Sequence, residues 1–201
     1  MHLSTYRRMK YFADTFVSKV EKSPISIYDI GSYNVNGTYK DFFEASHYNY
    51  IGVDIENGPN VDICIKSHYN WREIKSDSAD VVISGQALEH IENFWLTVLE
   101  ISRILKNGGL CCIIVPSSGF EHRHPVDCWR FYPDGLKVLA DFCGLEIIEI
   151  YLDDKGAIYE DKSEQWADCS IIAKKKNFGV KQKLILKIKW LFTFISFKLK
   201  I

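Results

Sequence analysis

The sequence lacks the features that mark several classes of protein. Its six cysteines include no C-x-x-C pair, so neither a zinc ribbon nor a disulfide framework is expected. Only five prolines stand against twelve glycines, which excludes a collagen-like or linker-like chain. The first ten residues have no apolar run behind their charges, so no secretory signal is predicted. These absences favour one α/β domain in a reducing cytoplasm.

Acidic residues are missing from the last part of the chain. Residues 174–201 have nine lysines and no acid, a balance of +9. Residues 1–173 have 16 Lys and Arg against 26 Asp and Glu, a balance of −10. Because binding to phosphates needs a basic face, so acidic a body predicts no nucleic-acid partner. The basic tail has to be interpreted separately.

Apolar spacing and turn residues predict alternating strands and helices, which is typical of a parallel sheet with right-handed crossovers. The last two strands have no clear helix between them and should form a hairpin-like pair at one edge. Strands are predicted at 25–31, 49–55, 61–65, 79–85, 110–116, 145–152 and 167–175, and helices at 3–21, 38–46, 94–106 and 134–144, with 107–109 as a helix cap. The predicted organisation is a leading helix at 1–24, one domain at 25–175 and a basic-apolar tail at 176–201.

Ligands bind such sheets outside the carboxyl ends of the parallel strands. There the first strand ends on Asp29 and Gly31, and the second ends on Asp54. A glycine permits close approach of the backbone to a ligand, and a carboxylate can accept hydrogen bonds from both hydroxyls of a ribose. Tyr33 stands where G-x-G-x-x-G has its second glycine, which disfavours a dinucleotide. The alternative is a plain strand-to-helix turn with a solvated acid.

Three stretches in combination resemble a known family. IYDIGSYNVNG, YIGVDIENGPNVDI and ADVVISGQALEHIENFWLTVLEISRILKNGGLCCIIVP look like class I S-adenosylmethionine-dependent methyltransferases, with the closest similarity to the methyltransferase type 11 group. The resemblance implies a Rossmann-like seven-stranded sheet with helices on both faces, the last strand antiparallel, and S-adenosylmethionine as cofactor. The later run HRHPVDCWRFYPDGL resembles a subgroup often encoded with surface-polysaccharide enzymes.

The resemblance also implies roles for single residues. Asp29 would contact the amino end of the cofactor, Asp54 would hold its ribose, and Gln86 would line its methionine side. Lys66 stands where many relatives have an acid near the adenine, so Ser67, His68 or a backbone carbonyl would replace that acid. The full predicted cofactor set is Asp29, Gly31, Ser32, Tyr33, Asn36, Gly37, Asp54, Ile55, Ser67, His68 and Gln86.

Three histidines are candidates for catalysis. His90 follows the fourth strand, and His122 and His124 follow the fifth, so all three should lie on the ligand side of the sheet. A hydroxyl acceptor must lose a proton as it is methylated, which suits an imidazole with a pKa near ~6.5. Each histidine could instead be structural, a carboxylate or phosphate-type acceptor would need no base, and no metal ligand is predicted.

The loop after the fifth strand is the candidate substrate site. Long loops at this position are often functional, aromatic faces stack on sugar rings, and Arg binds carboxylates or phosphates at two points. The alternative is that Trp129 and Phe131 are core residues and that Arg130 pairs with Asp127. The candidate residues are Arg123, Asp127, Trp129, Arg130 and Tyr132.

We therefore expect a methyltransferase that acts on an oxygen of a sugar or glycan intermediate in surface-polysaccharide assembly. The acceptor class depends on the resemblance alone. Three alternatives stay open: methylation of another small molecule or a lipid, a scaffold that binds the cofactor without catalysis, and a nicotinamide oxidoreductase. The missing G-x-G-x-x-G weakens the third.

The apolar run in the tail, residues 190–197, is far shorter than the ~20 residues that span a bilayer as a helix. An interfacial helix is the favoured interpretation, with lysines among anionic headgroups and aromatic side chains at the acyl boundary. Residues 177–201 would then place the protein peripherally at the inner face of a membrane. The alternatives are a segment packed on the body and a dimer contact. The predicted acyl-facing residues are Trp190, Phe192, Phe194 and Phe197.

Overall fold

The computed structural model describes residues 2–153 and 156–199 and contains one seven-stranded sheet. The strand order is β3-β2-β1-β4-β5-β7-β6, in which β7 runs antiparallel to both of its neighbours and the other strands run parallel. The predicted α/β fold with its antiparallel last strand is confirmed. The strands are Ile25–Ile30 (β1), Tyr48–Asp54 (β2), Ile63–Cys64 (β3), Ala79–Gly85 (β4), Leu105–Pro116 (β5), Leu145–Leu152 (β6) and Asp168–Lys175 (β7).

Helices cover both faces of the sheet, as predicted. The helices are Leu3–Thr15 (α1), Phe94–Ile104 (α2), Pro133–Phe142 (α3) and Val180–Leu199 (α4). On one face, Met9, Phe12 and Ala13 of α1 are buried, at the spacing of three and four that gives a helix one apolar side. On the other face, α2 and α3 bury their apolar sides against the sheet, and α4 packs outside that layer.

All four predicted helices end earlier in the structure than expected. Those predicted at 94–106 and 134–144 end at Ile104 and Phe142. The segment predicted as a helix at 38–46 contains only a 3₁₀ turn at Lys40–Phe43. There the Thr38 hydroxyl accepts a hydrogen bond from the Lys40 N–H, and such local bonds compete with a helix. The leading helix ends at Thr15, followed by a 3₁₀ turn at Val17–Lys19, so its predicted extension to residue 21 is wrong.

The fifth strand is longer than predicted. It begins at Leu105 and includes Asn107, Gly108 and Gly109, which were expected to cap a helix. Leu105 pairs with Ala79, the pairing then shifts before Val81, and the extra residues fit into this irregularity. Gly108 has a φ of 76°, a conformation that glycine adopts without strain.

The basic tail packs on the body over part of its surface. The indole N–H of Trp190 donates to the carbonyl of Tyr69 at 3.0 Å, and Lys183 pairs with Asp77 at 2.7 Å. Trp190, Phe194 and Phe197 contact the core on the α2 side, so the prediction that they face lipid is wrong, whereas Phe192 is 69% exposed. No helix among residues 2–153 and 156–199 is long and apolar enough to cross a membrane.

Candidate active site

The carboxyl ends of β1, β2, β4 and β5 meet at one edge of the sheet, together with the beginning of β7. Because β7 is antiparallel, its first residue, Asp168, lies opposite Pro116 at the end of β5. Loops after four parallel strands and the first residue of β7 therefore border the same edge of the sheet. The candidate cofactor and catalytic residues lie in the segments that border this edge.

Asp29 is the buried acid at the end of β1. Only 2% of the residue is exposed, and the Tyr50 hydroxyl donates to its Oδ2 at 2.5 Å. Its Oδ1 is buried and has no hydrogen-bond partner among the described residues. Burial raises the pKa of Asp29 to about 7. A cationic group on a ligand would give this oxygen its missing partner.

The turn after β1 lies close to the segment after β4. Gly31 has a φ of 82°, and a Cβ at this position would lie 2.6 Å from the Cβ of Ala87. Ser32 is buried, and its hydroxyl donates to the carbonyl of Asn60 at 3.1 Å. A side chain at residue 31 would force these segments apart, so glycine is needed here for space as well as for conformation.

Asp54 joins the loops that follow β1 and β2. Its Oδ2 accepts from the Tyr33 N–H at 3.0 Å, and its Oδ1 accepts from the Glu56 N–H at 3.1 Å. The ring of Tyr33 packs on Gly58, where a Cβ would lie 2.3 Å from the ring. A carboxylate has about four acceptor positions, so two backbone donors leave capacity for ligand hydroxyls. Ile55 beside it is 39% exposed.

The other predicted cofactor residues have mixed environments. Asn36 and Gly37 are exposed in a turn, where the Gly37 N–H donates to the side chain of Asn34 at 2.8 Å. The Ser67 hydroxyl accepts from the N–H of Tyr69 at 3.2 Å. His68 is half-buried, and burial lowers its pKa. These residues follow β1 and β3 on the side where the adenine was predicted.

Gln86 is held by protein groups. Its side-chain NH₂ donates to Oδ1 of Asp168 at 2.8 Å and to the Thr5 hydroxyl at 3.2 Å, while its buried Oε1 has no hydrogen-bond partner in the described part of the chain. The amide therefore faces α1 and β7 rather than being free, and only the carbonyl oxygen is left for a ligand.

Asp168 is a residue that the sequence interpretation missed. The hydroxyls of Ser4 and Thr5 donate to its Oδ2 at 2.7 and 2.8 Å, and burial raises its pKa. It links the start of α1 to the ligand edge. The only sequence signal for Asp168 was an acid at the start of a predicted strand. Because β7 is antiparallel, its first residue lies at the ligand edge of the sheet.

The three predicted catalytic histidines lie together. The ring centroid of His90 is 4.9 Å from that of His122 and 5.9 Å from that of His124. His90 belongs to a 3₁₀ turn, Leu88–His90, directly after β4, and burial lowers its pKa. The ring of Trp166, just before β7, lies tilted against the ring of His122, with the centroids 4.6 Å apart, and stacks on the ring of His2 at 5.1 Å. Aromatic rings from the start of the chain (His2) and from the segment before β7 (Trp166) thus lie beside the histidine cluster.

The loop at 117–132 is held by contacts within itself and with the segment after β4. Arg130 donates to both carboxylate oxygens of Asp127, at 2.6 and 2.8 Å, and the Asp127 side chain is only 2% exposed. The Trp129 N–H donates to the carbonyls of Ile91 and Glu92, and Phe131 is buried. Arg130 therefore pairs with Asp127 and Phe131 is a core residue, as the structural alternative proposed, whereas Trp129 is 37% exposed and is not a core residue. Arg123 pairs with exposed Glu121, and Tyr132 is 63% exposed.

Glu89 is a second residue that the sequence interpretation missed. It is completely buried beside His90, and burial raises its pKa to about 8. In the sequence it is one acid in a Leu-Glu-His run, and nothing local shows that it is enclosed.

Known proteins are similar to this chain in sequence over one segment and in fold over most of its length. Residues 29–113 match the family model described as Methyltransferase domain. No curated protein matches the sequence. The segment that matches the family model contains Asp29, Gly31, Asp54, Glu89 and His90.

Three solved structures share the fold at low identity. A Burkholderia thailandensis 1,6-didemethyltoxoflavin-N1-methyltransferase with bound S-adenosylhomocysteine has 13% identity and a TM-score of 0.66, over 87% of this chain and 79% of that one. The protein bound to the Trm112 methyltransferase activator of Haloferax volcanii has 14% identity and a TM-score of 0.61, over 87% and 93%. Phosphoethanolamine N-methyltransferase 2 of Haemonchus contortus, with S-adenosylmethionine, has 14% identity and a TM-score of 0.61, over 87% and 53%.

These findings bear on the predicted enzyme class. The prediction of an S-adenosylmethionine-dependent methyltransferase is confirmed for the domain that residues 29–113 match, and the structural neighbours confirm the fold. Their methyl acceptors differ from one another, so they do not indicate the acceptor of this chain.

Proposed function

We propose that this protein transfers a methyl group from S-adenosylmethionine to an oxygen of a sugar or glycan intermediate in surface-polysaccharide assembly. One observation carries the cofactor half of the proposal. A buried, unpartnered oxygen of Asp29 lies beside a turn at Gly31 that leaves no room for a Cβ. This arrangement suits a ligand with a cationic group that pairs with Asp29 while the rest of the ligand lies close to the backbone at Gly31.

The residues at the edge fit the cofactor. Oδ1 of Asp29 would accept from the ammonium of its methionine part, and the free acceptor positions of Asp54 would take the ribose hydroxyls. Ile55, with 39% of its surface exposed, would lie against the adenine. Bound in this way, S-adenosylmethionine would supply the methyl group, and the protein has to align the acceptor with it at ~3–3.5 Å.

The histidine cluster supports a hydroxyl acceptor. The ring centroids of the three imidazoles are 4.9–6.3 Å apart at the ligand edge. A base is needed here, because the acceptor oxygen must lose a proton as it is methylated. His124 is the exposed member and is the one that can reach a bound acceptor without a rearrangement of the core. The rings of His2 and Trp166 beside the cluster would exclude water from the reacting atoms.

Exposed aromatic rings along the loop support a sugar as acceptor. Phe120 is 62% exposed, Trp129 37% and Tyr132 63%. Flat rings give a sugar ring an apolar face to stack on, and the resemblance of residues 122–136 to a polysaccharide-associated subgroup favours the same class. Another small molecule or a lipid acceptor is the second candidate, because nothing in the loop is specific for one hydroxyl pattern.

The deciding experiment combines cofactor titration with an acceptor screen. Calorimetry should show binding of S-adenosylmethionine and none of NAD. Transfer of radiolabelled methyl should then occur with nucleotide sugars or lipid-linked sugars, and His124→Ala should lower kcat without changing cofactor affinity. Binding without transfer to any acceptor class would favour the scaffold alternative, and transfer only to amines or fatty acids would reject the glycan proposal.

The outer face of α4 supports a site of action at a membrane surface. With about 3.6 residues per turn, one side of the helix packs on the body through Trp190, and the opposite side is apolar and solvent-exposed. Lys187 and Lys189 lie on the two flanks between these sides. We propose that anionic lipid covers this face, with lysines at the headgroups and apolar side chains below. Its exposed apolar residues are Leu184, Ile185, Ile188, Leu191, Phe192, Ile195 and Leu199.

A further inference from the structure

Glu89 is a buried carboxyl group that other residues leave without hydrogen bonds. It is 0% exposed, and neither side-chain oxygen accepts a hydrogen bond from another described residue. A buried carboxyl group without partners is costly, so native structures keep one only where something compensates it. The position of Glu89, directly after β4 in the 3₁₀ turn Leu88–His90, places it at the ligand edge rather than deep in the core.

His90 presents one defined nitrogen toward Glu89. Its Nδ1 lies 2.6 Å from the carbonyl oxygen of Val126, and because a carbonyl only accepts, Nδ1 carries the proton. The lone pair is then on Nε2, which lies 3.7 Å from Oε1 of Glu89. An imidazole whose second nitrogen donates to a backbone carbonyl is the usual arrangement of a metal-binding histidine.

His122 completes a group of three. Its buried Nδ1 has no hydrogen bond but lies 3.3 Å from Oδ2 of Asp127, which also accepts from the His122 N–H at 2.8 Å. Asp127 is fixed in turn by Arg130. The carboxylate of Asp127 thus lies beside Nδ1 of His122, on the side where a carboxylate supports many metal-binding histidines.

We propose that Glu89, His90 and His122 form a binding site for a divalent transition-metal ion. One ligand atom from each residue lies within 4.8 Å of the others. An ion at the centre of a triangle of that size is roughly 2.8 Å from each atom, so shifts of under about 1 Å give the metal–ligand distances of about 2.0–2.2 Å.

The donor set indicates the class of metal. Two imidazoles and one carboxylate, with positions left open, suit Zn²⁺ or Fe²⁺, whereas Mg²⁺ and Ca²⁺ prefer a shell of oxygens. The ion would also balance the charge of Glu89, since the neighbouring Asp127 and Arg130 already balance each other.

A role for the ion follows from its position and rests on the proposed function. A hydroxyl oxygen of the acceptor that binds at an open position loses its proton more readily, because the metal stabilises the negative oxygen. With His90 and His122 engaged as ligands, His124 is the imidazole left to accept that proton and pass it to water. Metal binding itself does not depend on this role.

The test measures metal binding directly on the full-length protein without a polyhistidine tag. The protein is treated with a chelator and titrated with Zn²⁺, Mn²⁺, Fe²⁺ and Ni²⁺ by calorimetry, with elemental analysis after gel filtration. We expect one ion per chain, and a visible Co²⁺ spectrum that reports nitrogen and oxygen ligands. Glu89→Gln and His122→Ala should each weaken the affinity at least tenfold, with circular dichroism spectra like that of the wild type.

Matched controls are available at the opposite edge of the sheet. Glu44→Gln and His47→Ala change exposed residues before β2 and should bind metal like the wild type. The proposal is overturned if the wild type takes up none of the four ions, or if both Glu89→Gln and His122→Ala keep wild-type affinity. Titration of S-adenosylmethionine is scored separately, so loss of cofactor binding would reject the proposed function and leave the metal site standing.

Discussion

The hydroxyl of Tyr50 donates to Oδ2 of Asp29 at 2.5 Å, and this single donor determines which oxygen of the buried carboxyl is left for a ligand. Burial disfavours the charged form of Asp29, and the Tyr50 hydroxyl gives the carboxyl group one hydrogen bond. Because a carboxylate in such a place gains most from a cation, we expect the site to favour a cationic ligand and the buried acid to lower the stability of the free protein.

Asp29→Asn should separate binding from stability. We expect the affinity for S-adenosylmethionine to fall about tenfold to hundredfold, since hydrogen bonds to a charged group contribute roughly 1.5–3 kcal/mol. The urea midpoint of the free protein at pH 8 should rise, because a desolvated charge is removed. Calorimetry and urea unfolding check the two halves. Asp41→Asn, in the exposed 3₁₀ turn, is the matched control and should change neither.

Cofactor affinity should depend on pH through Asp29. Its pKa in the free protein is raised from 3.8 to about 7, so binding of an ammonium group requires loss of a proton at lower pH. Affinity should fall by up to about tenfold for each pH unit below 7 and level off above about 8. Calorimetry in buffers of different ionisation enthalpy should detect release of a proton at pH 6. A flat profile would contradict the assignment, and Asp29→Asn should produce one.

Asp29 should also make the stability of the free protein fall as the pH rises. Between pH 3.8 and about 7 the folded chain holds a proton on Asp29 that the unfolded chain has released. The contribution of this group is therefore full below the lower value and is lost as the pH rises through the upper one. The difference in urea midpoint between the wild type and Asp29→Asn should widen over this range.

Asp54→Ala should weaken S-adenosylmethionine binding about tenfold or more while the sheet stays folded. The loss combines hydrogen bonds to the ribose with release of the N–H groups of Tyr33 and Glu56, which Asp54 now accepts from. Titration calorimetry measures the effect. Glu56→Ala removes an exposed neighbouring carboxylate and should bind normally. Equal affinities for Asp54→Ala and the wild type would reject the assignment.

Arg130→Ala and Arg123→Ala should differ in stability. Removal of Arg130 leaves the nearly buried carboxylate of Asp127 without its two-point partner, and we expect a loss of roughly 2 kcal/mol or more. Arg123 pairs with Glu121 in solvent, where such a pair contributes little to stability. Urea unfolding compares the two variants. Similar urea midpoints for the two variants would show that the ion pair between Asp127 and Arg130 does not stabilise the loop.

The outer face of α4 should bind anionic vesicles. The double variant Leu191→Ser and Phe192→Ser removes exposed apolar surface and should abolish sedimentation with the vesicles at low salt, with cofactor affinity unchanged. Val138→Ser changes a residue of α3 that is 72% exposed and should still sediment. If the wild type does not sediment at low salt, the membrane proposal fails and a dimer contact becomes the explanation to test.

The sheet and its ligand edge could be predicted from local signals. The buried strands show as apolar runs, and Asp29 and Asp54 stand at or next to the carboxyl ends of two of them. The rule that ligands bind at the carboxyl ends of parallel strands then brings these acids to one edge. The helix predicted at 38–46 is wrong, because the hydroxyl of Thr38 forms a local hydrogen bond that competes with the helical pattern.

The partners of the site residues could not be predicted, because they depend on distant parts of the chain. Asp127 and Arg130 are close in sequence, and their pairing was foreseen as the structural alternative to substrate binding. The enclosure of Glu89 depends on a loop more than 30 residues away, and the bond between Ser4 and Asp168 spans 164 residues. Such contacts leave no periodic pattern in the sequence.

That long span has a consequence for the order of events during synthesis. Asp168 holds Ser4, Thr5 and Gln86, which lie far ahead of it in the chain, so these three groups lack their partner until β7 has left the ribosome. Contacts of such sequence separation form slowly, because a long loop must close before they are gained. The strands on the amino-terminal side can pair earlier, whereas Gln86 acquires its final hydrogen bonds among the last steps. A nascent chain that ends before residue 168 can therefore form the turn around Gly31 but cannot yet complete the edge at Gln86.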